Sequence, residues 1–126
     1  MRVLLAEDNE MNSDMLSGRL VRGGWPVLVA ATGLEAVQMA AEHVPDVILM
    51  DLSLPDMDGW TAIRMIRENE VTKDIVVIAL VAHAMPREHE RALGAWCDGL
   101  ETRPVDFPRL VDLMSGLAAR KEQPCR

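Results

Sequence analysis

Short apolar runs recur along the chain and alternate with segments of helical periodicity. Four of the runs are aliphatic throughout, which is typical of parallel strands that helices cover on both faces. These runs lie at residues 3–6, 27–30, 47–50 and 75–81, and a weaker fifth run lies at 99–102. The alternation predicts an α/β fold, with five parallel strands joined by right-handed crossovers.

Apolar residues recur at helical spacing between these runs and after the last one. The stripes consist of Met11, Met15, Leu16 and Leu20; Leu34, Val37 and Ala41; Trp60, Ile63 and Ile66; and Leu110, Leu113, Met114 and Leu117. Asn9 and Thr32 are predicted N-caps, and Gly23 with Gly24 supplies a stop. Pro86 fits the first turn of a further helix that runs to about residue 95, and Pro108 fits the first turn of the last helix.

Length and composition agree with one globular domain. The chain has 126 residues, of which 49% are hydrophobic and 26% charged. We expect a domain over residues 1–119 and a flexible tail at 120–126, which carries no apolar stripe.

A net charge of −7 opposes binding to nucleic acid. No apolar run approaches the ~20 residues that span a bilayer, and no signal-peptide pattern is present, so we expect a cytoplasmic protein without membrane insertion.

Acidic residues follow two of the predicted strands directly. Glu7 and Asp8 come after the first strand, and Asp51 comes after the third. If the strand order is 2-1-3-4-5, these strands are neighbours at the point where the order reverses, and the three carboxylates converge there. Such a cluster repels itself unless a cation neutralises it, and carboxylate oxygens suit Mg²⁺. Arg103, after the fifth strand, is the basic counterpart for a phosphoryl group.

Four stretches of the chain together resemble the receiver domains of two-component response regulators. They are Leu-Ala-Glu-Asp-Asn at 5–9, Met-Asp-Leu-Ser-Leu-Pro-Asp-Met-Asp-Gly at 50–59, Ala-Leu-Val-Ala-His-Ala-Met at 79–85 and Arg-Pro-Val-Asp at 103–106. The resemblance covers nearly the whole chain, in order and at the family's spacing. It implies a flavodoxin-like (βα)5 fold with the doubly wound order 2-1-3-4-5.

The resemblance also implies roles for the acidic residues. Asp51 matches the phosphoacceptor, which takes a phosphoryl group from a histidine kinase or a histidine phosphotransfer protein. Glu7, Asp8 and Asp51, with the main-chain carbonyl of Ser53, match the ligands of Mg²⁺, and Arg103 matches a phosphate contact. The family implies output by protein–protein interaction and no enzyme activity beyond self-catalysed phosphotransfer and slow autodephosphorylation.

Four positions depart from the family pattern. Val81 stands where the family has the switch Thr or Ser, so a hydroxyl that bonds the phosphoryl group is missing. Arg103 stands where the family has Lys, so a planar guanidinium replaces a compact ammonium group and the positive charge is kept. Leu100 stands at the position of the switch aromatic, and Trp96, where the family often has Gly, lies near the usual output face.

These departures leave three hypotheses. The favoured one is that Asp51 is phosphorylated but that switching is atypical, because the acidic triad is intact. The second is a degenerate receiver that binds a partner independently of phosphorylation. A Mg²⁺-dependent aspartyl phosphatase is the remote third, because it requires a second Asp where this chain has Ser53.

Overall fold

The structure, a computed structural model, describes residues 2–52, 54, 59–81, 97–102 and 106–122. The strands are β1 (Val3–Ala6), β2 (Val27–Ala30), β3 (Val47–Asp51), β4 (Val76–Val81) and β5 (Gly99–Thr102). The helices of this part are α1 (Glu10–Arg22), α2 (Gly33–His43), α3 (Gly59–Glu68) and α4 (Phe107–Glu122). The helix predicted after Pro86 lies outside the described residues.

All five strands form one parallel sheet in the order β2-β1-β3-β4-β5. The predicted fold class and strand order are therefore confirmed. Since β1 and β3 are adjacent although α1, β2 and α2 lie between them in sequence, the order reverses at their junction. This reversal opens a crevice at the carboxyl ends of the two central strands.

Side chains of the strands alternate between two hydrophobic layers, as the period of two in a strand requires. One layer packs the sheet against α2 and α3, and it includes Leu4, Ile48, Met50, Ile63 and Ile66. The other packs it against α1 and α4, and it includes Leu5, Leu20, Leu49, Leu80 and Leu110. The sheet is thus covered on both faces, which explains why β1 to β4 are almost entirely apolar.

Both predicted N-caps are confirmed. The Asn9 side chain accepts a hydrogen bond from the Asn12 amide at 3.0 Å, and the Thr32 hydroxyl accepts one from the Glu35 amide at 3.1 Å. Gly24, just after α1, has a φ of 94°, a conformation that glycine adopts without strain. These local signals fix where α1 and α2 begin and where the chain turns after α1.

The predicted apolar stripe is correct for α4 and for Ile63 and Ile66 of α3, but it is wrong for parts of α1 and α2. Met11 and Met15 are 77% and 59% exposed, and Leu34 is 47% exposed. In α2 the buried face consists of Gly33, Ala36 and Ala40. These small residues fit between the helix and the sheet, so their size outweighs the greater hydrophobicity of Leu34.

The C-terminal boundary of the domain remains a prediction. Helix α4 continues to Glu122, and residues 123–126 lie outside the described part. No helix among the described residues is both long enough and apolar enough to cross a membrane.

Candidate functional site

Three carboxylates meet at the crevice between β1 and β3. One oxygen each of Glu7, Asp8 and Asp51 lies within 4.8 Å of the others. Glu7 and Asp51 are 5% and 4% exposed, whereas Asp8 faces solvent. The structure therefore brings together the three acidic residues that the sequence placed at neighbouring strand ends.

Backbone hydrogen bonds hold the chain beyond each strand end. The Glu7 amide donates to the Ala30 carbonyl at 2.9 Å, and the Leu52 amide donates to the Leu80 carbonyl at 3.2 Å. Both contacts continue the pairing of the sheet past the last strand residue. The carboxylates thus project from backbone that is fixed on both sides of the crevice.

Strand register explains why two of these side chains share a face. Leu5 of β1 lies beside Leu49 of β3, and both pack in the layer under α1 and α4. Counting on by two residues places Glu7 beside Asp51 on the same face. Asn9 caps α1 directly after Asp8, so the third carboxylate, that of Asp8, lies at the rim of the crevice.

The donor set fits a hard divalent cation. Carboxylates this close repel one another, and the repulsion is strong where two of them are nearly buried. Oxygen-only ligands at a partly open rim match Mg²⁺, which keeps several waters and binds through one or a few carboxylates. Among the described residues, Glu7, Asp8 and Asp51 are the cluster of potential metal ligands that could hold an ion.

Two of the departures from the family pattern lie in the described part. Val81 ends β4 and is 5% exposed, so a buried aliphatic side chain stands where a hydroxyl was expected from the family. Leu100 is half-buried and packs against the layer under α2 and α3. Ser53, Trp96 and Arg103 lie outside the described residues, so their proposed roles remain predictions.

Sequence reasoning missed an ion pair of β5 whose acidic member is buried. Glu101 in β5 is 2% exposed, and its Oε1 accepts hydrogen bonds from the Nη2 and Nε atoms of Arg109 at 2.5 and 3.2 Å. The hydrogen bond that the guanidinium donates to this carboxylate is the main cause that raises the pKa of Arg109. The available signal was an acid inside a predicted strand, followed eight residues later by a base at the start of a predicted helix.

Comparison with known proteins agrees with this geometry. The family profile of the response regulator receiver domain matches residues 3–115. The chain belongs to this family. It is a receiver domain of two-component signalling, as the resemblance implied.

Individual relatives show how closely the receiver domain matches known chains. The polar-differentiation response regulator DivK of Brucella ovis is 34% identical over 110 residues, which cover 87% of this chain and 89% of the relative. The receiver domain of sensor histidine kinase PA1611 from Pseudomonas aeruginosa superposes with a TM-score of 0.86 at 32% identity, covering 94% and 97% of the two chains. That crystal structure has a magnesium ion coordinated in its active site cleft.

A second solved structure is similarly close in fold. The signal receiver domain of a signal transduction histidine kinase from Syntrophus aciditrophicus superposes with a TM-score of 0.87 at 26% identity. The match covers 98% of this chain and 94% of that one. The similarity extends over the whole receiver domain and therefore includes both strand ends that carry the acidic cluster.

Proposed function

We propose that Asp51 is the phosphoacceptor of this receiver domain and that its phosphodonor is a phosphohistidine on a kinase or phosphotransfer protein. A carboxylate oxygen of Asp51 attacks phosphorus, an O–P bond forms and the N–P bond of the donor breaks. The electron pair of that bond returns to the leaving imidazole, which takes up a proton from water. The product is an acyl phosphate on Asp51.

The supporting observation is the convergence of Asp51 with Glu7 and Asp8 within 4.8 Å. These residues, with the main-chain carbonyl of Ser53, are the proposed ligands of Mg²⁺. When bound, the ion supplies positive charge that offsets the negative charge of the acceptor and of the incoming phosphoryl group.

The protein's own contribution to this reaction is positioning. Asp51 extends from the end of a buried central strand and is held in place by the pairing of the next residue with β4. Because the imidazole leaving group departs readily, in-line placement of the acceptor is enough for transfer. We propose Arg103 as the contact for the transferred phosphoryl group. We propose that the domain acts only as an acceptor, with self-catalysed transfer and slow autodephosphorylation, and that it does so in the cytoplasm.

Switching after phosphorylation is proposed to be atypical. Val81 is buried at the end of β4 and offers no hydroxyl to a phosphoryl oxygen. A hydrogen bond to a charged group contributes about 1.5–3 kcal/mol, comparable with the free energy that separates two states of a switch. This observation favours the second hypothesis, a phosphorylation-independent binding module, more than any other feature does, whereas the intact acidic cluster favours phosphorylation.

Intact-mass measurement with acetyl phosphate and Mg²⁺ tests the proposal. Wild type is expected to gain the mass of one phosphoryl group, and Asp51→Asn is expected to gain none. Asp8→Asn should slow the gain about tenfold or more, because a charged metal ligand is lost. Asp14→Asn, an exposed acid on α1, is the matched control and should behave as wild type. No added mass on wild type, or equal gain in Asp51→Asn, would overturn the assignment.

A further inference from the structure

One charged side chain is buried away from the acidic cluster. Glu101 is 2% exposed in β5, and its carboxylate is paired with Arg109, whose side chain is 64% exposed. Burial of a carboxylate is unfavourable unless a cation and hydrogen bonds compensate for it. Arg109 supplies both, through two hydrogen bonds to the same oxygen. An apolar residue would fill this position without needing a partner, so the pair offers more than packing.

Strand register places this pair in line with the acceptor. Asp51 lies beside Leu80 of β4, and Leu80 lies beside Glu101 of β5. Residues in one row of a parallel sheet point to the same face, and two strand spacings separate their Cα atoms by about 10 Å. Leu80 is fully buried between them, so little water screens the two carboxylates from each other.

The cation of the pair belongs to the first turn of α4. Asp106 caps this turn, because its Oδ1 accepts a hydrogen bond from the Arg109 amide at 3.2 Å. The neighbouring Phe107 ring lies under the guanidinium of Arg19 in α1, 5.7 Å from ring centroid to Cζ. The Glu101–Arg109 pair therefore ties β5 to a helix start that also contacts α1.

We propose that the Glu101–Arg109 pair transmits the charge change at Asp51 to the first turn of α4. The inference rests on the proposed function. A phosphoryl group adds about one negative charge to the acceptor. That charge repels the carboxylate of Glu101 and attracts the guanidinium of Arg109, so both effects weaken the same pair. Because most of the Arg109 side chain is exposed, it is able to move when the balance changes.

The pair would act where the family's usual coupling is missing. Val81 lacks the hydroxyl and Leu100 lacks the aromatic ring that the family resemblance implies at these positions. An electrostatic link through β5 needs neither group. The response would then appear at the start of α4, on the face of the sheet that Asp51 and Glu101 share.

Backbone amide NMR shifts of the full chain test this proposal, with beryllofluoride and Mg²⁺ as the probe. The decisive variant is Glu101→Leu/Arg109→Met, because it removes the buried carboxylate together with its partner and so leaves no unpaired charge inside the protein. Arg109→Met alone is the second variant. Arg64→Met, which removes a partner from the exposed Arg64–Glu68 pair, is the matched control.

In wild type and in Arg64→Met, beryllofluoride is expected to shift amides at residues 7–8 and at 107–112, apart from Pro108, which has no amide proton. In both Arg109 variants the shifts at 7–8 should persist, while those at 107–112 fall to under about a third of the wild-type values. Unchanged shifts at 107–112 in the double variant, or none there in wild type, would overturn the inference alone. Absence of shifts at residues 7–8 in wild type would contradict the proposed function and the inference with it.

Discussion

One described residue other than glycine has an unusual backbone conformation, and it lies at the end of the molecule opposite the acidic cluster. Val44, which follows α2, has a φ of 45° and a ψ of 65°, the left-handed conformation. A β-branched residue is strained there, whereas glycine is not. Val44 is 48% exposed, so its side chain contributes little packing to offset the strain.

Val44→Gly is therefore expected to raise the free energy of unfolding by about 1 kcal/mol, measured by urea denaturation. Ala41→Gly in the preceding helix is the control. It should lower the free energy of unfolding by about 0.5–1 kcal/mol, because glycine is unfavourable inside a helix. Equal destabilisation by both substitutions would show that residue 44 is not strained.

A second residue-scale prediction concerns Cys97, which is a free buried thiol. Burial is the main cause that raises its pKa above the ordinary value of a thiol, and the neighbouring charge of Asp98 raises it further. The folded state therefore holds the thiol proton more tightly than the unfolded state does. The resulting stabilisation is fully present below the unfolded pKa and is lost as pH rises through the folded pKa.

Urea denaturation over a pH range that begins below about 8.5, the usual pKa of a thiol, and extends well above it measures this effect. Wild type should lose more stability over this interval than Cys97→Ala does. The chain has no tyrosine, so no phenol titrates in the same interval. Parallel pH dependence in the two proteins would contradict the prediction.

At the scale of elements, the sheet is tied to α3 through a partly buried ion pair. Arg67 donates to the Asp98 carboxylate at 2.8 Å and to the carbonyls of Lys73 and Ile75 at 2.8 and 2.7 Å. The same Asp98 oxygen accepts the Val77 amide at 2.9 Å. One carboxylate thus joins the end of α3, the start of β4 and the segment before β5.

Removing the Asp98 carboxylate should weaken the attachment of these three elements to one another. Asp98→Ala is expected to lower the free energy of unfolding by about 2–3 kcal/mol, because an amide and a guanidinium lose a charged acceptor. Asp98→Asn keeps an acceptor for the Val77 amide and should cost about half as much. Glu68→Ala, which removes an exposed ion pair of 4.0 Å, should change stability by less than about 0.5 kcal/mol. Similar losses for Asp98→Ala and Glu68→Ala would contradict this account.

Strands and helices differ in how well the sequence predicts them. Strand positions and helix caps were predictable because each depends on adjacent residues, such as Asn9 before α1. The buried face of α2 was not, because small residues pack there and exposed Leu34 gave a misleading stripe. Pairs such as Arg67–Asp98 join positions far apart in sequence, and only strand register and helix packing bring them together.

At the scale of the whole molecule, strand order places the acidic cluster. Glu7 and Asp51 are 44 positions apart in the chain, yet β1 and β3 are neighbours and their carboxyl ends open to the same crevice. The convergence was predictable because acids followed two apolar strands and the order was available from the family resemblance. Glu101 and Arg109 were not predictable as a pair, since an acid in a strand and a base eight residues later do not by themselves show that the two side chains meet.

The position of the phosphoryl group decides whether Asp51 is the acceptor. Borohydride reduces an acyl phosphate on aspartate to homoserine, with release of phosphate, and peptide mass spectrometry then identifies the residue. After treatment with acetyl phosphate, we predict homoserine at residue 51 when Mg²⁺ is present and none when EDTA removes the ion. Homoserine at another aspartate, or formation at residue 51 that does not depend on Mg²⁺, would contradict the account.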